Sequence, residues 1–122
     1  MLNLDTHILV HALAGELTPA EDRLLAGHQW GISAMVLWEL AKLFQLGRIS
    51  LDLRSAEFAQ ALSRIHVWPL DLAVCRRIAE LDFHSDPADE IIAATSLVHG
   101  VPLLTRDRRI RRSRLVPLAP GA

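Results

Sequence analysis

Short apolar runs alternate with longer amphipathic stretches along this chain, and polar caps or glycines mark most of the boundaries. The first run, Leu2 to Asp5, ends in Asp5-Thr6, either of which can cap a helix that carries Ile8, Leu9 and Ala12 and stops near Gly15. Thr18-Pro19-Ala20-Glu21 has the hydroxyl cap, first-turn proline and returning glutamate of a capping box, which predicts a second helix ending near Gly27. Trp30 to Ser33 reads as a strand. Ser33 can cap a helix over 34–46 that Gly47 closes, and a further helix is expected from about Ser55 to Ile65. His66 to Leu70 reads as a third strand, and Asp71 caps a helix running to about Asp82. Asp86-Pro87-Ala88-Asp89 opens a helix that runs to His99 and stops at Gly100. Val101 to Thr105 is a fourth strand, the arginine-rich segment after it holds at most a short helix, and Leu115 to Leu118 is a fifth strand.

Strands too short and apolar to show a period of two, alternating with helices, predict an α/β fold in which a mainly parallel sheet of about five strands is covered by helices on both faces. In such a fold ligands bind beyond the carboxyl ends of the strands, near a topological switch point. The residues that follow the strands are Asp5, Ser33, Asp71, and Thr105 with Asp107. Helix capping alone accounts for Asp71 and for Asp86. Glu39 is harder to place on a solvated face, because its helical neighbours are Met35, Val36, Leu40 and Leu43. A lone buried charge is costly unless it is paired or holds a cation. Asp89, by itself a favourable acid in the first turn of a helix, gains interest from the company the sheet gives it.

Asp5, Glu39, Asp89 and Asp107 come from separate elements that a parallel sheet brings to one rim. Several carboxylates in one cleft repel each other and raise one another's pKa, so a cation is expected to compensate them. All-oxygen ligands favour a hard ion, Mg²⁺, with Mn²⁺ as a substitute. Zinc is poorly supported: His7 and His11 are spaced i, i+4, but without the glutamate of the zinc-protease pattern.

Composition narrows the setting. At 122 residues the chain is expected to form a single domain over 1–122, and one cysteine, Cys75, excludes an internal disulfide and favours a reducing compartment. No apolar stretch approaches the roughly 20 residues of a membrane span, and the N-terminus lacks the basic lead of a signal peptide, so a cytoplasmic protein is expected. The formal net charge of −1 hides an asymmetry: residues 106–114 carry six arginines against the single acid Asp107, a net +5, which leaves −6 elsewhere. A basic patch on an otherwise acidic protein suits a polyanion such as nucleic acid, contacted by Arg106, Arg108, Arg109, Arg111 and Arg112. Acids that hold Mg²⁺ beside such a segment suit phosphodiester hydrolysis.

These pieces resemble the PIN-domain ribonucleases, and among them the VapC-type toxins of toxin–antitoxin pairs. The resemblance is carried by Leu4-Asp5-Thr6, by Ser33 followed six residues later by Glu39-Leu40, by His84-Ser85-Asp86-Pro87-Ala88-Asp89 running into Ile91-Ile92-Ala93-Ala94-Thr95, and by Leu104-Thr105-Arg106-Asp107. It implies a PIN-like three-layer α/β/α sandwich and a Mg²⁺-dependent endoribonuclease held in check by a cognate antitoxin and assembled as a homodimer. It also implies roles: Asp5 and Asp89 as direct metal ligands, Asp107 as a ligand directly or through water, and Glu39 as a water-mediated ligand or the base that orients the attacking water. Thr6 and Thr105 are then positioning helpers, with Asp86 a cap or outer contact. This chain departs from the family's frequent Asp-Pro-Phe-Asp-Arg by having Ala88 and Glu90, which bears on the path of RNA. Two alternatives share the chemistry or the scaffold: a degenerate PIN-like binding module and a metal-dependent DNA nuclease. A two-component receiver domain fails, because strand one offers only Asp5 and the sole lysine, Lys42, lies in a helix.

Overall fold

The computed structural model describes residues 1–120, so the last two positions of the expected 1–122 domain lie outside the described residues. The elements run β1 (Leu2–Leu4), α1 (Thr6–Ala14), α2 (Pro19–Ala26), β2 (Trp30–Ser33), α3 (Ala34–Gln45), α4 (Ala56–Leu62), β3 (His66–Trp68), α5 (Leu72–Ile78), α6 (Pro87–His99), β4 (Leu103–Leu104) and α7 (Arg108–Arg111). The strands form one sheet in the order β3-β2-β1-β4, every pair parallel, flanked by helices. β1 is buried along its whole length, as a central parallel strand covered on both faces must be. Asn3 turns to one face, where its amide donates to the Ile92 carbonyl (3.1 Å) and to Ser96 Oγ (2.9 Å) on α6. Leu2 and Leu4 alternate to the other face and join Ile8, Leu9, Ile32, Val36, Leu40 and Leu104 in the main core.

Local chemistry sets most boundaries. The capping box of Thr18 and Glu21 is reciprocal, α1 ends on Gly15 at φ 72° and α6 on Gly100 at φ 63°. Several expectations change: the helix expected to reach Ile65 ends at Leu62, and the strands expected over 66–70 and 101–105 shorten to His66–Trp68 and Leu103–Leu104. The fifth strand is reduced to a single bridge between Leu103 and Leu118, because Pro117 has no N–H to extend a ladder along a two-residue β4. The sheet therefore has four strands among the described residues. The helix from Asp71 stops at Ile78, and the residues up to Asp82 form a turn whose last carboxylate receives Ser113 Oγ (2.6 Å) and the Arg114 N–H (2.8 Å). Asp86 sits at the N-cap of α6 but its side chain makes no capping bond; it lines a cleft instead.

Gly31 on β2 shows why one position must lack a side chain. A Cβ there would lie 2.5 Å from Cη2 of Trp68, whose indole stacks on His99 (5.4 Å between ring centroids) and meets the edge of His66. Trp68 is 5% exposed and has little room to move, so Gly31→Ala is expected to lower the unfolding free energy by about 1–3 kcal/mol despite alanine's better backbone entropy. Urea unfolding checks this, and an unchanged midpoint would contradict the packing.

Candidate active site

The switch point of the sheet lies between β1 and β4, and the carboxyl ends of those strands meet there. Asp5, directly after β1, caps α1 and is only 5% exposed. Its Oδ1 accepts the Thr6 N–H at 2.8 Å, and its Oδ2 accepts the Thr105 hydroxyl at 2.6 Å across 100 residues of chain. Thr105 Oγ1 in turn accepts the Asp107 N–H at 3.0 Å, and Asp107 caps α7 by accepting from the N–H groups of Arg109 and Ile110. Glu39 reaches the same rim from α3, where its Oε1 accepts the Thr6 hydroxyl. Asp89, in the first turn of α6, accepts the Ser85 hydroxyl at 2.8 Å, while the Ser85 N–H donates to Glu90 at 3.1 Å. The two threonines thus join Asp5, Glu39 and Asp107, while Asp89 is held by Ser85.

The four carboxylates are near enough to feel one another. Burial pushes the Asp5 carboxyl above its ordinary value, against hydrogen bonds from Thr105 and Thr6 that lower it, and the charge of Asp107 adds to the rise. Burial likewise raises Glu39, with further increments from Asp5 and Asp89. Asp89 is raised by burial and then by Asp5, Asp107 and Asp86. Among the described residues no three acid, histidine or cysteine side chains enclose a metal-ion site by themselves. The donor set is all oxygen and its charges are mutually repelling, which fits a hydrated hard cation such as Mg²⁺, an ion that keeps several waters and takes few protein ligands.

These shifts have a thermodynamic sign. A carboxyl with a raised folded-state pKa contributes stability that is full below its unfolded value and is lost as pH rises through the folded value. Glu21 works in the other direction: Arg106 lowers it to about 2, so its contribution is present above the usual glutamate range and lost as pH falls towards 2. In EDTA, the unfolding free energy is therefore expected to be greater at pH 5 than at pH 8, with Mg²⁺ narrowing the gap. Urea titrations at the two pH values check this; a flat profile would contradict the raised acids.

The arginines divide. Arg108, Arg109 and Arg112 line an open cleft of about 500 Å³ together with Ser85, Asp86, Asp89 and Asp107. Arg109 also donates through Nη1 to the His84 carbonyl at 3.0 Å, which ties α7 to the loop before α6. Arg106 turns away to Glu21, and Arg111 is not among the cleft-lining residues. Asp5 and Glu39 lie outside the lining of this cleft, so the basic segment adjoins the Asp89–Asp107 side of the rim. Sequence reasoning missed Ser85 as the partner of Asp89, and it missed the second role of Glu21. Only the capping-box position of Glu21 was visible along the chain.

The PIN-domain family model matches residues 3–114, a span that contains all four acids. The chain belongs to the PIN-domain family. This PIN domain is 33% identical over 87 residues to Ribonuclease VapC22 of Mycobacterium tuberculosis, a match that spans 68% of this chain and 66%, just under two thirds, of that protein. Its fold is shared with the toxin–antitoxin complex from Klebsiella pneumoniae (TM-score 0.72, 19% identity, 99% of this chain and 98% of that one). It is equally shared with VapBC2 from Rickettsia felis bound to a fragment of promoter DNA (TM-score 0.72, 20% identity, 98% of each chain).

Proposed function

We propose that this PIN domain is a VapC-type toxin, a Mg²⁺-dependent endoribonuclease that hydrolyses RNA phosphodiester bonds, accepts Mn²⁺ as a substitute and is inhibited by a cognate antitoxin. The observation that carries the reading is the convergence of Asp5, Glu39, Asp89 and Asp107 at the switch point, with three of them raised by burial and mutual repulsion. The 33% identity to a ribonuclease supports it. Asp5 and Asp89 would hold the cation, with Asp107 beside them directly or through water. Relief of carboxylate–phosphate repulsion and a lowered water pKa are what a divalent cation supplies when bound there. Glu39 accepts a proton from the attacking water at Oε2, the oxygen that Thr6 does not engage, and its raised pKa makes it a stronger base than an ordinary carboxylate. Thr6 and Thr105 hold the carboxylates in register, and Asp86 remains an outer contact. Arg108, Arg109 and Arg112 take the RNA backbone on the Asp89–Asp107 side.

A homodimer is part of the proposal, and Trp38, Leu46 and Leu72, at 56%, 63% and 62% exposed, are among the large apolar side chains free to enter its interface. Among the described residues no helix is long and apolar enough to cross a membrane, and a cytoplasmic setting is part of the proposal.

The deciding experiment is cleavage of labelled total RNA, and of single-stranded DNA in parallel, by purified protein with Mg²⁺, Mn²⁺ or EDTA. Discrete metal-dependent RNA products are expected. Cleavage of DNA alone, or folded protein that cuts nothing, would replace the reading by a DNA nuclease or a binding module. In the same assay format, Arg108→Glu with Arg112→Glu is expected to weaken RNA binding and flatten its dependence on salt, since each phosphate contact releases counterions. An unchanged slope would remove those arginines from the interface.

A further inference from the structure

We propose that Glu21 is a positioning residue for the active site: its ion pair with Arg106 sets the turn that carries Thr105 and Asp107. Glu21 belongs to α2, a connector between α1 and β2 that contributes none of the four acids. Its side chain is nevertheless 2% exposed, and both oxygens face Arg106, with Nη2 to Oε1 at 2.6 Å and Nε to Oε2 at 2.8 Å. A parallel pair of bonds of this kind fixes orientation as well as distance, which a lysine in place of the arginine could not reproduce. Helix capping does not require it. The bond from the Thr18 N–H to Oε1, at 2.9 Å, would be made equally by an uncharged glutamine.

What the pair holds is short. Only three residues separate the end of β4 from the start of α7: Thr105, which bonds Asp5, Arg106, and Asp107, which caps α7. The side chains on either side of Arg106 serve the rim, and that of Arg106 is the one that anchors the turn to another layer, 85 residues away in sequence. A half-buried ion pair is weak evidence for stability, because desolvation of Glu21 and solvent screening at Arg106 cancel much of the attraction; holding one arrangement of a turn is the use that such a pair serves best. The local bonds of Thr105 and Asp107 then act on a backbone whose place is already set.

The kinetic arm of the test rests on the nuclease reading, whereas the spectroscopic arm does not. Glu21→Gln keeps the volume and the capping acceptor and removes the charge. In ¹⁵N–¹H spectra the amides of Thr105, Arg106 and Asp107 are expected to shift or broaden while those of Ser85 and Asp89 stay in place. At a temperature where the variant is fully folded, kcat is expected to fall about tenfold or more with KM within about twofold, the pattern of a lost transition-state arrangement. Thr18→Ala, which breaks the other half of the capping box, should lower Tm without changing kcat or those amides. Should Glu21→Gln fail to fold, Arg106→Gln reads the same coupling from the more exposed partner, and Arg106→Lys should restore only part of kcat. A purely structural role, in which Glu21→Gln lowers Tm as Thr18→Ala does and leaves amides and kcat alone, would overturn the proposal. So would Arg106 variants that raise KM at constant kcat, which would make Arg106 an RNA contact. If wild-type protein cuts no RNA the nuclease reading falls, and the amide shifts alone decide this one.

Discussion

Asp5→Asn is expected to abolish cleavage while leaving the protein at least as stable as the wild type. The substitution conserves volume and removes a charge that the fold holds at a cost, since burial raises the Asp5 carboxyl. Asparagine can still accept the Thr6 N–H through its oxygen, and its amide can donate to Thr105 Oγ1, which already accepts from Asp107. The Thr105 hydroxyl proton then loses its acceptor, and this offsets part of the relief. At pH 7 in EDTA the net change in unfolding free energy is expected to lie between zero and a gain of about 1 kcal/mol. Cleavage should fall by about 10³-fold or more, because a carboxylate proposed to hold the cation is gone. Thermal unfolding with and without Mg²⁺ separates the two effects: wild type should gain Tm with the ion and Asp5→Asn should not. Wild-type cleavage by the variant would remove Asp5 from the site.

Asp89→Asn carries the second-largest effect, a loss of about 10²–10³-fold in kcat. Asp89 stands where α6, the cleft-lining arginines and the other acids meet, and its charge adds to the rise of Glu39 while its own carboxyl is raised by burial and then by Asp5 and Asp107. Neutralising it therefore lowers the pKa of Glu39 as well as removing a proposed ligand, and the acidic limb of the pH–rate profile should move to lower pH. Ser85→Ala gives a graded comparison. It leaves the charge and releases only the 2.8 Å bond that holds the Asp89 carboxylate, so a loss of about tenfold is expected. If Ser85→Ala were as inactive as Asp89→Asn, the hydroxyl itself would be part of the chemistry. A folded Asp89→Asn that cuts RNA at the wild-type rate would strike Asp89 from the site.

The reach of sequence reasoning differed between elements for reasons that can be named. Thr18 and Glu21, Asp71, Gly15 and Gly100 mark their helices through bonds made within a few residues, so their positions were legible. The four acids were legible as a set because each follows a strand or sits in a helix turn that a parallel sheet must bring to one end. The fifth strand was not, because whether Leu115 to Leu118 can pair depends on a neighbour only two residues long and on Pro117 within the segment, which has no N–H to donate. The expectation that Arg106 joins an RNA-facing row was formed from charge alone; the partner that takes it lies 85 residues earlier.

By itself, then, the order of apolar runs, caps and glycines determined the α/β layering, the parallel strands and the candidates at the rim, because hydrophobic periodicity and capping act over a few residues. Tertiary structure decided which hydroxyl holds which carboxylate, which arginines line the cleft and which one pairs with Glu21, and that burial raises Asp5, Glu39 and Asp89. Those properties depend on contacts between Asp5 and Thr105, Thr6 and Glu39, or Glu21 and Arg106, pairs separated by 33 to 100 residues. Desolvation and charge–charge repulsion belong to the assembled rim and to no single segment of the chain.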